Sequence, residues 1–197
     1  MELFWNFITD FGDTAVTLPL AAATIVFLLF SGWRRAAIAF VLALIGAGIA
    51  IALVKLVLES CGHPLLHTDI TNPSGHAAIS ATVYGCLAVL FGRNLPVGYR
   101  WYPGLAAGAL MGAIALSRII LDAHSLPEVA VGLAIGGAAT AMFFHVLATA
   151  RAGAFRNLWL ILVVALVMAV MHGSRWPIED IVRSIVRLIR HSVPACA

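Results

Sequence analysis

The sequence predicts an all-α fold, a polytopic membrane helical bundle, and two properties of the chain support this. Of its 197 residues, 62% are hydrophobic and only 11% are charged, whereas soluble domains are roughly half apolar and a quarter charged. The mean hydropathy is +1.01, and the apolar runs are longer than the alternating ~10-residue strands of a membrane β-barrel. Because backbone groups in lipid must be paired internally, we expect the spanning elements to be helices.

At about 20 residues per bilayer crossing, the apolar runs predict six transmembrane helices. They are expected near 14–32, 36–58, 75–92, 103–121, 127–149 and 157–172. The last run is short, bracketed by Arg156 and His172, and a half-span is the alternative there. Since no room is left for a soluble domain, we expect residues 1–197 to form a single membrane-embedded domain.

Both ends of the chain carry amphipathic patterns. Residues 1–13 place apolar side chains opposite Asn6, Asp10 and Asp13, which is typical of a short helix lying in the membrane interface. Residues 176–191 place aliphatic side chains on one helical face and charged ones on another. We expect a second surface-lying helix there, with a seventh span as the alternative.

The basic residues predict the orientation in the membrane. Arginines follow the first, third and fifth expected spans, at Arg34, Arg35, Arg93, Arg100, Arg151 and Arg156. These loops share one side, which the positive-inside rule makes cytoplasmic. The loops 59–74 and 122–126 then lie outside, together with both termini.

Three polar clusters map to this outer side, and such residues are functional candidates because the bilayer makes them costly. The first is Lys55 followed by "ESCGHP", which contains Glu59 and His63. The second is "NPSGH" at 72–76, and the third is "SRIILDAHSLPE" at 117–128. The catalytic motifs are therefore expected within 55–128.

The second cluster is typical of a helix start that binds an anion. Pro73 stops a preceding helix, Ser74 can cap the next one, and Gly75 lets the backbone approach a ligand. The free N–H groups of that helix start suit an anion. His76 stands in the first turn, where an imidazole can hydrogen-bond an oxyanion or pass a proton.

The third cluster repeats this design with an added acid. His124 precedes Ser125 and Pro127, a capped helix start with proline near its first position. Glu128 follows His124 by four residues, so its carboxylate can accept the Nδ1–H and leave Nε2 as an oriented nucleophile. Arg118 offers a fork of donors suited to phosphate oxygens, and Lys55 adds a point charge. This set suits a phosphoryl group better than a carbonyl or a metal.

With these residues in place, the chain resembles the type 2 phosphatidic acid phosphatase (PAP2) superfamily of membrane lipid phosphatases. The resemblance rests on "PSGH" at 73–76 and on Ser117-Arg118, five residues, His124, three residues and an acid. Two features depart from the family pattern. The first motif is one residue longer and has His63 before Pro64 where the family has arginine, and Glu128 stands where the family usually has aspartate.

The resemblance implies a role for each matching residue. His124 would be the nucleophile that forms a phosphohistidine, oriented by Glu128, and His76 would protonate the leaving oxygen. The phosphate would be bound by a further set that comprises Arg118, Lys55, Ser74 and Gly75. His63 is expected either to replace the missing arginine or to leave the phosphate with one cation fewer.

The resemblance also implies the setting of the reaction. Neither a metal nor a cofactor is expected, the partners are a membrane lipid phosphate and the bilayer, and no nucleic acid is expected. The leading substrate is undecaprenyl diphosphate, with phosphatidate or phosphatidylglycerophosphate next. We expect the protein in the bacterial cytoplasmic (inner) membrane with its site on the outer, periplasmic face; the sequence leaves its oligomeric state open.

Other interpretations of the same residues stay open. The site could pass its phosphoryl group to another lipid, as a phosphotransferase, or could serve a non-catalytic lipid-phosphate binder or transporter. Lys55 could simply pair with Glu59, and Asp122 could position Arg118, because both pairs have i,i+4 spacing. The small residues of "GLAAGALMGAIA" at 104–115 and "GLAIGGAATA" at 132–141 are expected to let helices pack closely, within one subunit or between subunits.

Overall fold

The computed structural model describes residues 1–66, 70, 72–149, 157–174, 176 and 184, with the backbone alone for 59–66 and 157. Within these ranges every regular element is helical, which confirms the predicted all-α class. The α-helices are α1 Glu2–Asp10, α2 Thr14–Phe30, α3 Arg34–Leu66, α4 Gly75–Arg93, α5 Tyr102–Ile120, α6 Leu126–Ala148 and α7 Asn157–Met171. A short 3-10 turn, Val97–Tyr99, precedes α5. The surface helix expected at 176–191 lies outside the described residues except at two positions.

The long helices agree with the predicted spans. Five described segments are long and apolar enough to cross a membrane, and α7 is a shorter apolar helix. At about 1.5 Å per residue, the 15 residues of α7 reach about 22 Å, which is less than a hydrocarbon core of about 30 Å. The protein is therefore an integral membrane protein with five to six spanning helices.

Helix α3 is longer than its predicted span. The apolar run was expected to end at residue 58, and the backbone continues as a helix to Leu66. Pro64, which has no N–H to donate to the carbonyl of residue 60, lies two residues before the end of this helix.

Helix α1 combines an exposed apolar face with a buried last turn. Leu3, Phe4 and Phe7 are exposed, as expected for a helix in the membrane interface. In contrast, Thr9 and Asp10 are buried. The N-terminal segment therefore packs into the bundle at its C-terminal end, which the amphipathic pattern alone did not predict.

Helix α4 is the central helix of the bundle, and two glycines of α6 let it pack closely. A Cβ atom on Gly132 would lie 2.5 Å from the carbonyl oxygen of Ser74, and one on Gly136 would overlap the carbonyl oxygen of Ala78. On α4, a Cβ atom on Gly85 would likewise overlap the side chain of Thr140 on α6. Gly132 and Gly136 therefore pack helices within this chain.

The glycines of α5 are different. A Cβ atom on Gly104, Gly108 or Gly112 would meet nothing within 4 Å. This part of the small-residue pattern is not used to pack helices inside the described part of the chain.

The directions of the helices bring the polar clusters to one end of the bundle. Helices α4 and α6 begin there, and α5 ends there with Arg118 in its last turn. Arg34, Arg93 and Arg100 lie at the starts or ends of helices on the opposite end. The polar clusters and these arginines are therefore separated by the length of the bundle, as the predicted topology requires.

Candidate active site

The start of α4 forms as the "NPSGH" pattern predicts. Ser74 is the N-cap, and its hydroxyl oxygen accepts a hydrogen bond from the Ala77 N–H at 3.3 Å. In front of Gly75 the space is open, because an added Cβ atom would meet nothing within 4 Å. The first turn of α4, which carries His76, thus faces an opening in which its backbone donors can meet an anion.

A tight turn between α5 and α6 places His124 next to Arg118. The Arg118 carbonyl oxygen accepts hydrogen bonds from Ala123 N–H at 3.0 Å and His124 N–H at 3.2 Å. Asp122 has a φ of 51°, the left-handed conformation that often follows a helix C-terminus and that Asp tolerates better than most residues. The same turn therefore ends α5 and places the backbone of His124 in contact with Arg118.

His124 and Glu128 form the expected histidine–carboxylate pair. His124 Nδ1 lies 3.4 Å from Glu128 Oε2, and both residues are buried. Ser125 N–H also donates to Oε2 at 3.1 Å, so the carboxylate caps the start of α6. A carboxylate at Nδ1 directs the Nε2 nitrogen away from the helix start, where it can act as a nucleophile.

Glu128 also binds the second motif. Its Oε1 accepts a hydrogen bond from Asn72 N–H at 2.8 Å, and its backbone carbonyl oxygen accepts one from Ser74 N–H at 3.1 Å. The side-chain oxygen Oδ1 of Asn72 is buried and has no hydrogen-bond partner among the described residues. One acid thus fixes the starts of α4 and α6 relative to each other.

Two cations stand at this end of the bundle. Lys55 on α3 is only 3% exposed and lines a cavity of about 370 Å³ together with Gly75 and His76. Arg118 donates through Nη1 to the hydroxyl of Thr9 at 3.4 Å. The cavity continues along aliphatic side chains, namely Leu18, Leu44, Ile45, Ile51 and Ile79.

The N-terminal segment supplies an acid that sequence reasoning did not assign to the site. Asp13 is the N-cap of α2, and its Oδ2 lies 3.5 Å from His76 Nε2. A signal was present in the sequence, since Asp13 is an acid at the start of the first span, on the same predicted side as the two histidines. Nothing in the spacing of 13 and 76, however, indicates contact.

Some of the predicted site residues lie together in the structure, and others do not. The structure joins His124 to Glu128, and it places Lys55 and His76 on one cavity. It does not pair Asp122 with Arg118, because Asp122 is exposed and makes no ion pair in the described part of the chain. The side chains of His63 and Glu59 lie outside the described residues, so their roles stay predictions.

Among described residues, no group of three or more His, Cys, Asp and Glu side chains is placed to hold a metal ion.

The fold and these residues define a class of protein: an integral membrane helical bundle with a polar site at one end. The sequence model of the PAP2 superfamily matches residues 56–152, which include His76, Arg118, His124 and Glu128. The chain belongs to the PAP2 superfamily. It therefore has a phosphatase-type fold and belongs to the general class of hydrolases.

The chain is also similar to a bacterial protein. The chain is 32% identical over 140 residues to a Klebsiella pneumoniae protein described as "Uncharacterized 22.5 kDa protein in cps region". That match covers 71% of this chain and 67% of the relative. No solved structure gives a significant match to the chain.

Proposed function

We propose that the protein is a membrane lipid phosphatase that hydrolyses a lipid phosphate or pyrophosphate through a phosphohistidine on His124. The observation that carries this proposal is the buried His124–Glu128 pair, 3.4 Å between Nδ1 and Oε2, held against the start of the "PSGH" helix. Membership of the PAP2 superfamily supports the same reaction class.

In the first half of the proposed reaction, His124 Nε2 attacks the terminal phosphorus. The bond between phosphorus and the leaving oxygen breaks, and His76 gives that oxygen a proton. Glu128 stabilises the positive charge that the phosphorylated imidazole carries. Arg118, Lys55 and the backbone at Ser74 and Gly75 neutralise the phosphoryl oxygens, which is the main requirement of phosphoryl transfer.

In the second half, a water molecule attacks the phosphohistidine. The bond between phosphorus and Nε2 breaks, and the water gives a proton to His76, which is neutral after the first step. Free phosphate leaves and both histidines return to their starting states. No step requires a metal, because the two cations supply the charge neutralisation.

The apolar cavity supports a lipid as the substrate. It has a polar end at Lys55 and His76 and an aliphatic end at Leu44. Leu44 precedes Lys55 by 11 residues, about 16 Å along an α-helix at about 1.5 Å per residue. A phosphate held at the polar end would therefore extend a hydrocarbon tail along α3. Among such lipids we favour undecaprenyl diphosphate, with phosphatidate or phosphatidylglycerophosphate next, because the chain is small and its expected polar loops are short.

We place the site on the outer, periplasmic face of the bacterial cytoplasmic membrane. The described arginines of the predicted cytoplasmic loops lie at the bundle end opposite His124, in agreement with the positive-inside rule. In a variant without its native cysteines, His67→Cys should react in intact cells with a membrane-impermeant thiol reagent. Labelling only after the cells are broken would reverse the orientation.

Phosphate release by the purified protein in detergent tests the reaction. With EDTA present, we expect release from undecaprenyl diphosphate or phosphatidate by the wild type and none by His124→Ala, and the preferred lipid identifies the substrate class. Activity that EDTA abolishes would contradict the metal-free route.

Two other outcomes identify the alternatives. With a candidate acceptor lipid present, label from the substrate that appears on that lipid instead of in free phosphate would identify a phosphotransferase. A protein that binds these lipids but neither releases phosphate nor becomes labelled at His124 would be a binder.

A further inference from the structure

We infer that Asp13 is a positioning residue for His76, and that the N-terminal segment 9–13 forms a wall of the active site. This inference rests on the proposed function, in which His76 protonates the leaving oxygen. Segment 9–13 lies outside the 56–152 match to the superfamily. It therefore adds to the site a residue that the shared motifs do not contain.

The carboxylate of Asp13 is held in place by the start of α2. Its Oδ1 accepts a hydrogen bond from Ala15 N–H at 2.8 Å, which leaves Oδ2 directed at His76 Nε2 at 3.5 Å. The two side chains are only 10% and 13% exposed. Shielding from water strengthens a contact between an imidazole and a carboxylate that the backbone already orients.

The backbone of the segment is fixed against α4 and α5. The Tyr84 hydroxyl donates to the Phe11 carbonyl oxygen at 2.6 Å. Gly12 fits against α5 without a side chain, because a Cβ atom there would lie 2.6 Å from Ile114 Cγ2 and 3.7 Å from His76 Cδ2. The approach of Asp13 to His76 is thus set by packing on both sides.

A second contact joins the same segment to the phosphate-binding group. Thr9 is buried, and its hydroxyl oxygen accepts a hydrogen bond from Arg118 Nη1 at 3.4 Å. One short segment therefore contacts both the proposed acid and a cation proposed to bind phosphate.

The two histidines are then oriented in complementary ways. Glu128 faces Nδ1 of His124, which leaves Nε2 to attack phosphorus. Asp13 faces Nε2 of His76, so Nδ1 is the nitrogen that would give its proton to the leaving oxygen. A carboxylate that accepts the Nε2–H of a histidine cation keeps the other N–H directed at the substrate, as an orienting acid does in other histidine-dependent sites.

The leaving group provides a readout that distinguishes positioning from a structural role. An alkoxide needs a proton as it leaves, whereas p-nitrophenolate is stable without one, so a defect in acid catalysis affects alkyl phosphates selectively. Asp13→Asn is the variant of choice, because asparagine caps a helix as well as aspartate does. Its amide oxygen can keep the bond to Ala15 N–H, which turns the NH2 group towards His76 Nε2.

For the purified full chain in detergent, we expect Asp13→Asn to lower kcat/KM on dodecyl phosphate by about tenfold or more, because kcat/KM reports the steps up to formation of the phosphohistidine. For p-nitrophenyl phosphate, kcat/KM should change by less than about threefold, since proton donation contributes little to the departure of that leaving group. Glu2→Gln is the matched control, because it removes an exposed carboxylate of α1 and should leave both rates unchanged. Equal losses on both substrates, or no loss on dodecyl phosphate, would overturn the inference.

A measurement without turnover separates this inference from the proposed function. In protein labelled with 15N-histidine, the His76 signal, assigned by its loss in His76→Gln, should report a proton on Nε2 in the neutral ring. Asp13→Asn should move that proton to Nδ1, because an amide NH2 cannot accept it. A His76 signal that Asp13→Asn leaves unchanged overturns the inference, even if the wild type hydrolyses lipids. A changed signal in a protein without phosphatase activity would instead contradict only the proposed function.

Discussion

Glu128 joins Asn72 of the second motif to the nucleophile candidate of the third: its Oε1 accepts the Asn72 N–H at 2.8 Å, while its Oε2 lies 3.4 Å from His124 Nδ1. Each of the two carboxylate oxygens thus serves a different motif. The acid is therefore more than an orienting group for one histidine, since it also sets the distance between the starts of α4 and α6.

Glu128→Gln should reduce both activity and stability. The amide has one acceptor atom, so either the Asn72 N–H or the Ser125 N–H then meets an NH2 group. Loss of one such bond to a charged acceptor costs about 1.5–3 kcal/mol, and a misoriented histidine lowers kcat by on the order of 10²-fold or more. Phosphate release and the thermal midpoint in detergent measure the two effects. A variant that keeps its full rate would show that His124 does not depend on this carboxylate.

Glu128→Asp should also be less active, although aspartate is usual at this position in the family that the motifs resemble. The side chain becomes shorter by one C–C bond, about 1.5 Å. From the same backbone position it cannot reach both His124 Nδ1 and Asn72 N–H. We expect a kcat between those of the wild type and Glu128→Gln, by the same assay. If Glu128→Asp had a higher kcat than the wild type, the simultaneous contact of Glu128 with His124 and Asn72 would slow catalysis.

Local signals account for what the sequence predicted well. The starts of α4 and α6 were predicted because a cap and a proline specify a helix start within four or five residues. The His124–Glu128 pair was predicted from its i,i+4 spacing, and it forms at a helix start, where His124 directly precedes the N-cap Ser125 and Glu128 is the N3 residue. Asp13 was missed because its contact with His76 joins segments 63 positions apart in the chain. Hydrophobic periodicity indicates which face of a helix is buried, but not which distant residue it meets.

The contact between α4 and α6 provides a test of the packing with a control from the adjacent residue. A Cβ atom on Gly136 would overlap Ala78 and Ala81 of α4, whereas one on Gly137 would meet nothing within 4 Å. Gly136→Ala should lower stability by about 1–3 kcal/mol through overpacking. Gly137→Ala should be neutral or stabilising by up to about 1 kcal/mol, because alanine favours helix. Thermal unfolding in detergent measures both, and equal midpoints would contradict the packing of these helices.

The apolar cavity beside Lys55 is the proposed binding path for the hydrocarbon tail of the substrate. Gly48 lines the cavity between Leu44 and Lys55, whereas Gly46 on the same helix does not. Gly48→Leu should fill the path proposed for the tail, and Gly46→Leu should not. A tail leaving the bilayer gains little hydrophobic free energy in an apolar groove, because lipid is equally apolar, so the expected effect is steric exclusion.

For Gly48→Leu we expect KM for a long-chain lipid phosphate to rise by about tenfold, which corresponds to about 1.4 kcal/mol. Hydrolysis of p-nitrophenyl phosphate, which has no tail, should be unchanged in both variants. The comparison requires each protein at the same detergent concentration, since detergent dilutes the lipid. If Gly48→Leu and Gly46→Leu hydrolyse the long-chain substrate equally well, the tail must lie elsewhere, and the cavity beside Lys55 would hold only the headgroup.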